Sequence, residues 1–342
     1  EPMDCFSARS PVQDVVVMFP IQMGKSEIET NTVGYVMHHA PGPMMVCLPG
    51  EVSMNKWINQ KLTPLIEETE AVRTALTSNA SRNAANQKDF KDFAGGQLYV
   101  EHAGSPARLK STTVRYLLVD ELTEFANNLR DGDDPLAMLE GRTSAYTSRY
   151  RRGYVGTPGV KGVCRIADLW ERSDQRLYHV ECPHCHELQP LEWEGLFWTP
   201  GATAETVDHA WYVCRECGAM IEEHHKTAML RDAKAGGTAR WVPTHPGRRI
   251  RGYHVNGLYY QIGMGPRWLD LARMWLEAQG DPAKLKTFTN DRKAIPWEER
   301  SLKSVRANLI AERAEPIPLM VAPMGVVWVT AGVDTQDDRL EV

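Results

Sequence analysis

The chain has no apolar stretch near the roughly 20 residues that a membrane-spanning helix needs and no secretory signal at its start. No membrane is therefore expected as a partner. It also lacks an excess of basic residues, with 39 Lys and Arg against 44 Asp and Glu and a formal net charge of −5. Nothing global marks a nucleic-acid binder, so DNA contact has to come from local patches such as Arg149, Arg151 and Arg152, or Arg248, Arg249 and Arg251. A disulfide framework is missing too. Four of the 7 cysteines form two Cys-x-x-Cys pairs, while Cys5, Cys47 and Cys164 are scattered among apolar neighbours. That usage fits metal ligation and buried thiols in a reducing cytosol. There is no initiating Met, and Val342 falls inside a strand-like pattern, so both ends read as cut from a longer protein.

What remains is an ordinary globular composition, 42% hydrophobic and 24% charged over 342 residues. That length holds roughly two domains of about 100–200 residues each. Tyr116–Val119 is a short apolar run that suits a strand buried on both faces of a parallel sheet. It ends in Asp120 and Glu121, and ligands of such sheets gather at the carboxyl ends of the strands. One acid there can hold Mg²⁺ and the next can polarise a water; the plain alternative is a solvated acidic turn.

A matching phosphate loop lies upstream. Val15–Phe19 reads as a buried strand running into Pro20-Ile-Gln-Met-Gly24-Lys25-Ser26 and then a helix. Backbone N–H groups and a helix N-terminus cradle phosphates in that context. Lys25 would reach the β- and γ-phosphates, and the Ser26 hydroxyl would ligate Mg²⁺. The usual first glycine of the loop is absent, its place taken by Phe19.

Further along, Met44–Leu48 reads as a core strand, Lys56–Glu70 as a helix, Ser78–Asp92 as a surface loop and Gln97–His102 as a strand. The turn Gly104–Ser111 carries Arg108 and Lys110, which suits a solvated loop, a DNA-phosphate contact or a reach to a neighbouring subunit's nucleotide. Pro135–Tyr146 reads as helical, and Arg152–Thr157 as a strand. Thr157 at that strand's tip suits either a sensor of the γ-phosphate or a plain Thr-Pro turn.

The ordered set Pro-x-Gln-x-Gly-Lys-Ser, Gly-Ser-Pro-Ala-Arg-Leu-Lys-Ser, Leu-Leu-Val-Asp-Glu and Gly-Thr-Pro resembles the ATPase of the tailed-phage terminase large subunit, of the lambda-like GpA family. The resemblance continues through Tyr253–Leu258, Phe288–Asn290, Pro296–Glu298 and Gly332–Glu341. It implies an α/β fold: a P-loop NTPase parallel sheet of RecA/ASCE type flanked by helices, with a zinc-ribbon-like insertion and the first strand of an RNase H-like nuclease. It implies a motor that hydrolyses ATP with Mg²⁺, packages double-stranded DNA into a procapsid and, in the full-length protein, cuts the concatemer. The implied partners are DNA, the terminase small subunit, the portal protein and further copies in a ring, in the cytoplasm of a bacterial host. On that basis Gln22, Gly24, Lys25 and Ser26 bind nucleotide, Asp120 holds the metal, Glu121 activates water and Thr157 couples hydrolysis to movement.

Cys182-Pro-His-Cys185 and Cys214-Arg-Glu-Cys217 offer four thiolates for a closed, structural Zn²⁺ site. Residues 186–213 between them make a longer gap than the ~15–20 usual for paired knuckles, and Phe197-Trp198 suggests a hairpin or loop excursion there. His184 and His186 are read as flanking a Cys₄ site, although either could replace a Cys. Such a ribbon either stiffens an insertion or contacts DNA, and the acids around it (Glu187, Glu192, Glu194, Glu216, Glu222, Glu223) weigh against the second.

Trp268–Gln279 has the stripe of an amphipathic helix, and Asp281-Pro282 caps another. Glu315–Pro323 reads as a linker. Val326–Val333 reads as a strand ending at Asp334, a nuclease-metal candidate whose remaining ligands would lie beyond Val342. The expected organisation is an ATPase core at 1–175, the insertion at 176–230, the rest of the ATPase region at 231–300, a linker at 301–324 and a nuclease start at 325–342. Two other readings compete: a zinc-ribbon DNA-binding or assembly protein with a degenerate nucleotide site, and a helicase-like ATPase unrelated to packaging. Arg108, Arg142 and Arg149 are unranked arginine-finger candidates.

Overall fold

The computed structural model describes residues 1–76, 87–110, 112–129 and 132–298, with residue 324 and the pairs 334–335 and 340–341. Residues 1–298 form one compact unit and residues 299–342 another.

Thirteen strands are described in the first unit. In chain order they are β1 (Asp14–Met18), β2 (Met44–Leu48), β3 (Phe90–Phe93), β4 (Gly96–His102), β5 (Tyr116–Val119), β6 (Arg151–Gly156), β7 (Arg176–Glu181), β8 (Leu188–Pro190), β9 (Leu196–Trp198), β10 (Ala210–Val213), β11 (Met220–Ile221), β12 (Arg240–Pro243) and β13 (Arg251–His254). Ten build one sheet in the order β12-β7-β13-β1-β6-β5-β2-β4-β3, with β8 added to β7. From β7 to β4 every neighbouring pair is parallel; β12, β8 and β3 join antiparallel.

The central strands read as unbroken apolar runs because successive side chains enter different cores. On β1, Val15 and Val17 join one cluster while Val16 and Met18 join the other. Tyr116 and Leu118 of β5 face the first cluster, and Leu117 and Val119 the second. A sheet covered on both faces has no side on which polar residues could alternate.

Several elements differ from their sequence reading. The helical run expected over 56–70 opens earlier, at Glu51 after Gly50, and passes through a π-turn at Ile58–Leu62 to Glu68. That wider turn sits just ahead of Pro64, whose missing N–H would otherwise break the helical ladder. The expected loop 78–92 ends in β3, an edge strand in which Phe90 and Phe93 bracket two polar residues; residues 77–86 lie outside those described. The segment 135–146 is an α-helix only over Pro135–Gly141, followed by a short 3₁₀ turn. Trp268–Ala278 and Pro282–Phe288 are helices as expected, and the Asp281 carboxylate caps the second by accepting from the N–H groups of Ala283 and Lys284.

Residues 176–230 do not stand apart from the sheet. β7 is one of its strands and runs straight into the first Cys-x-x-Cys turn. β8 pairs back onto β7, and the region goes on to a small antiparallel sheet, β11-β10-β9, in which Phe197 and Trp198 belong to the expected hairpin. In the second unit, Asp334–Thr335 pairs antiparallel with Leu340–Glu341. The linker 315–323 and the strand 326–333 lie outside the described residues.

Candidate active site

β1 ends at Met18, and helix α1 (Lys25–His39) begins seven residues later, at the carboxyl edge of the sheet. Gly24 caps that helix in left-handed backbone, φ 79°, which glycine adopts without a Cβ penalty. Gln22 also has φ 57°, a conformation that costs a non-glycine residue on the order of 1–3 kcal/mol. The loop is held by its surroundings. Phe19 N–H donates to Gly156 O at 3.3 Å, Ile21 N–H donates to Asp291 O at 3.1 Å, and the Tyr260 hydroxyl donates to Ile21 O at 2.6 Å. Phe19, where a glycine is usual, is buried and stacks on Trp241 with ring centroids 6.1 Å apart. The missing glycine is thus a packing residue here.

Lys25 is only 6% exposed and points back across the loop. Its Nζ donates to Pro20 O at 3.2 Å and to Thr157 Oγ1 at 2.7 Å, and lies 3.8 Å from Glu121 Oε1. Thr157 follows β6, the strand between β1 and β5, so the sheet order delivers it to this position. Its hydroxyl also donates to Phe19 O, and its carbonyl accepts from the Thr123 hydroxyl.

Asp120 and Glu121 leave β5 at the same edge. Asp120 is 6% exposed; its Oδ1 accepts the Glu121 N–H at 3.0 Å. Burial, and then the charge of Glu121, push its carboxyl up to about 6. Glu121 stands in left-handed backbone, φ 47° and ψ 50°, and its side chain is 40% exposed. The buried acid and its exposed neighbour therefore divide in character, one suited to a cation and the other to a water. Two further acids arrive that sequence spacing does not single out. Glu29 of α1 meets the Asp120 carboxyl, and the half-buried Asp291 feels the charges of Arg292, Lys25 and Glu121. Ser26, Asp120 and Glu121 are hard oxygen donors, the set that Mg²⁺ takes.

The four cysteines also converge. The sulfurs of Cys182, Cys185, Cys214 and Cys217 all lie within 4.8 Å of one another. Cys185–Cys214 is 3.8 Å and Cys182–Cys217 is 4.0 Å. Four thiolates around one ion at about 2.3 Å have tetrahedral edges of about 3.8 Å, so the set fits Zn²⁺ and is far from disulfide length. Both turns share a design. Cys182 N–H donates to Glu187 O and His186 N–H to Cys182 O, just as Cys214 N–H donates to Ala219 O and Gly218 N–H to Cys214 O. The residue after each second cysteine is left-handed, His186 at φ 65° and Gly218 at φ 70°. His184 instead donates to Met220 O, and His186 pairs with Glu181, so neither joins the cluster.

The sequence model of the phage terminase large subunit gpA ATPase domain matches residues 1–241, and that of the gpA endonuclease domain matches residues 250–342. The chain belongs to the phage terminase large subunit gpA family. The terminase large subunit of Escherichia phage lambda is 24% identical over 352 residues, covering 97% of this chain and 53% of that protein. That of Enterobacteria phage P21 is 23% identical with the same coverage, so the chain spans about half the length of these relatives. Among solved structures, the large terminase ATPase domain of Thermus phage P74-26 gives a TM-score of 0.46 at 12% identity, over 86% of this chain and 92% of that one. A large terminase from a thermophilic bacteriophage, in complex with ADP, gives 0.34 at 13%, over 46% and 37%.

In this gpA-family chain the first family model ends within β12 and the second begins just before β13, and both strands lie in the one large sheet. The motifs shared downstream of the loop have local work to do. Asn256 donates to Leu191 O and Tyr259 donates to Tyr178 O, tying the insertion to the sheet. Asp291, next to the Phe288–Asn290 motif, holds the phosphate loop through its carbonyl. Trp297 of the Pro296–Glu298 motif exchanges backbone hydrogen bonds with Gly159 and Lys161, just beyond Thr157.

Three cations of the basic patches are engaged within the fold. Arg151 is 4% exposed and donates to Tyr150 O and Ser10 O, while Arg152 faces Asp14 and Glu140. Arg248 donates to the carbonyls of Glu171 and Ser173. These cations are committed to the fold. Of the finger candidates, Arg108 pairs with Asp89 and Glu101, Arg142 donates to Met138 O and Lys110 O, and Arg149 is exposed.

Proposed function

We propose that this chain is the ATP-hydrolysing motor portion of a phage terminase large subunit, driving double-stranded DNA into a procapsid. Membership of the gpA family and the ATPase model over 1–241 support that reading over a degenerate nucleotide site or an unrelated helicase. The observation that carries it is the meeting of Lys25, Glu121 and Thr157 at one sheet edge, with Lys25 Nζ within 3.8 Å of the Glu121 carboxylate.

In this reading ATP lies on the loop 20–26, with the N-terminus of α1 facing its phosphates. Lys25 exchanges its donation to Thr157 for the β- and γ-phosphates. Mg²⁺, held by Ser26 and Asp120, supplies neutralisation of phosphate charge when bound. Glu121, exposed and beside the phosphate, orients the attacking water and accepts its proton. Thr157, released by Lys25, reports the presence of phosphate. The backbone pairing of Gly159 and Lys161 with Trp297 gives that signal a route to residue 298, where the first unit ends.

Zn²⁺ on Cys182, Cys185, Cys214 and Cys217 would be structural, since four thiolates leave no open position. Asp334 would be a metal ligand of the endonuclease in the full-length protein, which cuts the concatemer. The terminase small subunit, the portal and further copies of the chain in a ring are the partners of that role, in the host cytoplasm. Among the described residues no helix is long and apolar enough to cross a membrane.

The direct test is Mg²⁺-dependent ATP hydrolysis by the purified protein. Lys25→Ala should reduce turnover by at least about a hundredfold, the scale of a lost charge stabiliser at a transferring phosphoryl group. Turnover unchanged by Lys25→Ala would overturn the assignment of this loop.

A further inference from the structure

Glu29 is 1% exposed and follows Lys25 by one helical turn. Among the described residues, no N–H or backbone group donates a hydrogen bond to either of its carboxyl oxygens. Its neighbour is the Asp120 carboxyl, close enough for the two acids to share a proton when no cation lies between them. A buried carboxylate left without a donor costs several kcal/mol unless a cation meets it. The neighbourhood is rich in acid: Glu29, Asp120, Glu121 and Asp291 meet Lys25 there, with Arg292 beside Asp291 as a second cation. Ordinary hydrophobic packing gives no reason for an acid at this position, because the alternative on a buried helix face is an aliphatic residue.

Helix spacing places Glu29 on the face shared with Lys25 and with Ser26, four and three residues earlier. We propose that Glu29 is a second carboxylate of the divalent-cation site, acting with Asp120 and Ser26. This rests on the ATPase reading of the same site and adds a cation that is held before nucleotide arrives. Mg²⁺ is commonly bound through one or two carboxylates together with phosphate oxygens and waters, so the nucleotide-free site proposed here is the weaker one.

The probe is Mn²⁺, which takes the same hard oxygen ligands and is counted directly by its paramagnetic signal. The purified protein without nucleotide should bind one Mn²⁺ at this site, and Asp120→Asn should lose it. Glu29→Gln keeps the size and adds a donor toward Asp120, so a merely structural partner would be replaced without loss. The proposal expects Glu29→Gln to weaken Mn²⁺ binding by at least about tenfold, with ATP binding in chelator unchanged. Glu29→Leu should do the same if Glu29→Gln does not fold. Parent-like Mn²⁺ affinity in a folded Glu29 variant overturns the proposal and leaves the ATPase reading intact. A parent protein that binds no Mn²⁺ without nucleotide overturns it as well. Failure of the ATPase reading would show separately, as turnover indifferent to Lys25→Ala.

Discussion

Two residues of the site, Gln22 and Glu121, hold left-handed backbone that neither side chain favours. Such strain persists only where neighbours over-determine it, here the Asp120 carboxylate on the Glu121 N–H and the ties of Ile21 to Tyr260 and Asp291. Lys25, Ser26, Asp120 and Glu121 were legible in the sequence because a strand, a short loop and a fixed residue order define each of them locally. Glu29, Tyr260 and Asp291 were not, since they reach the site through helix phase or from far downstream in the chain. His254 closes β13 beside this loop, donating to Ala294 O at 3.0 Å and packing on Trp170. Burial lowers its imidazole to about 4. The unfolded chain then takes up the proton first, so stability is full above pH ~6.5 and is lost as pH falls toward 4. Urea unfolding at pH 7 and pH 5 should show a loss of up to about 2 kcal/mol that is absent in His254→Gln.

At the scale of elements, apolar runs were read nearly to the residue because both faces of the sheet are buried, whereas β3 was missed because Lys91 and Asp92 interrupt it. Glu223 shows the opposite failure. Sequence counts it among the acids around the cysteine module, yet it is 6% exposed and organises a helix start. Its carboxylate accepts from Lys226 Nζ at 2.6 Å, from the Trp268 N–H at 3.0 Å and from Arg267 Nε at 3.1 Å. Lys226 is itself 1% exposed, so removing its partner leaves a buried charge. Glu223→Ala should cost about 3–5 kcal/mol, measured by denaturant unfolding, and should loosen the docking of Trp268–Ala278. A loss under about 1 kcal/mol would mean that Lys226 finds water or another partner.

For the whole molecule, the cysteine module is continuous with the large sheet through β7 and is bound to it by Tyr259 and Asn256. Sequence spacing showed the four cysteines but not that continuity, because antiparallel β12 and parallel β13 return to β7 from far downstream. Metal analysis of the purified protein should find one equivalent of Zn²⁺, absent in Cys182→Ser. Chelation should lower the melting temperature of the whole first unit, not only of the module, since Cys182 and Cys214 belong to its main core cluster. Zinc-free protein with parent stability would contradict this.

Glu121 reaches solvent beside Lys25 while its neighbour Asp120 is buried. The decisive measurement is ATP binding and ATP turnover of Glu121→Gln, side by side with the parent. Binding should be retained and turnover should fall by about 10²–10⁴-fold, the usual contribution of a positioned general base. Turnover at the parent rate would contradict the central claim that this carboxylate activates the attacking water.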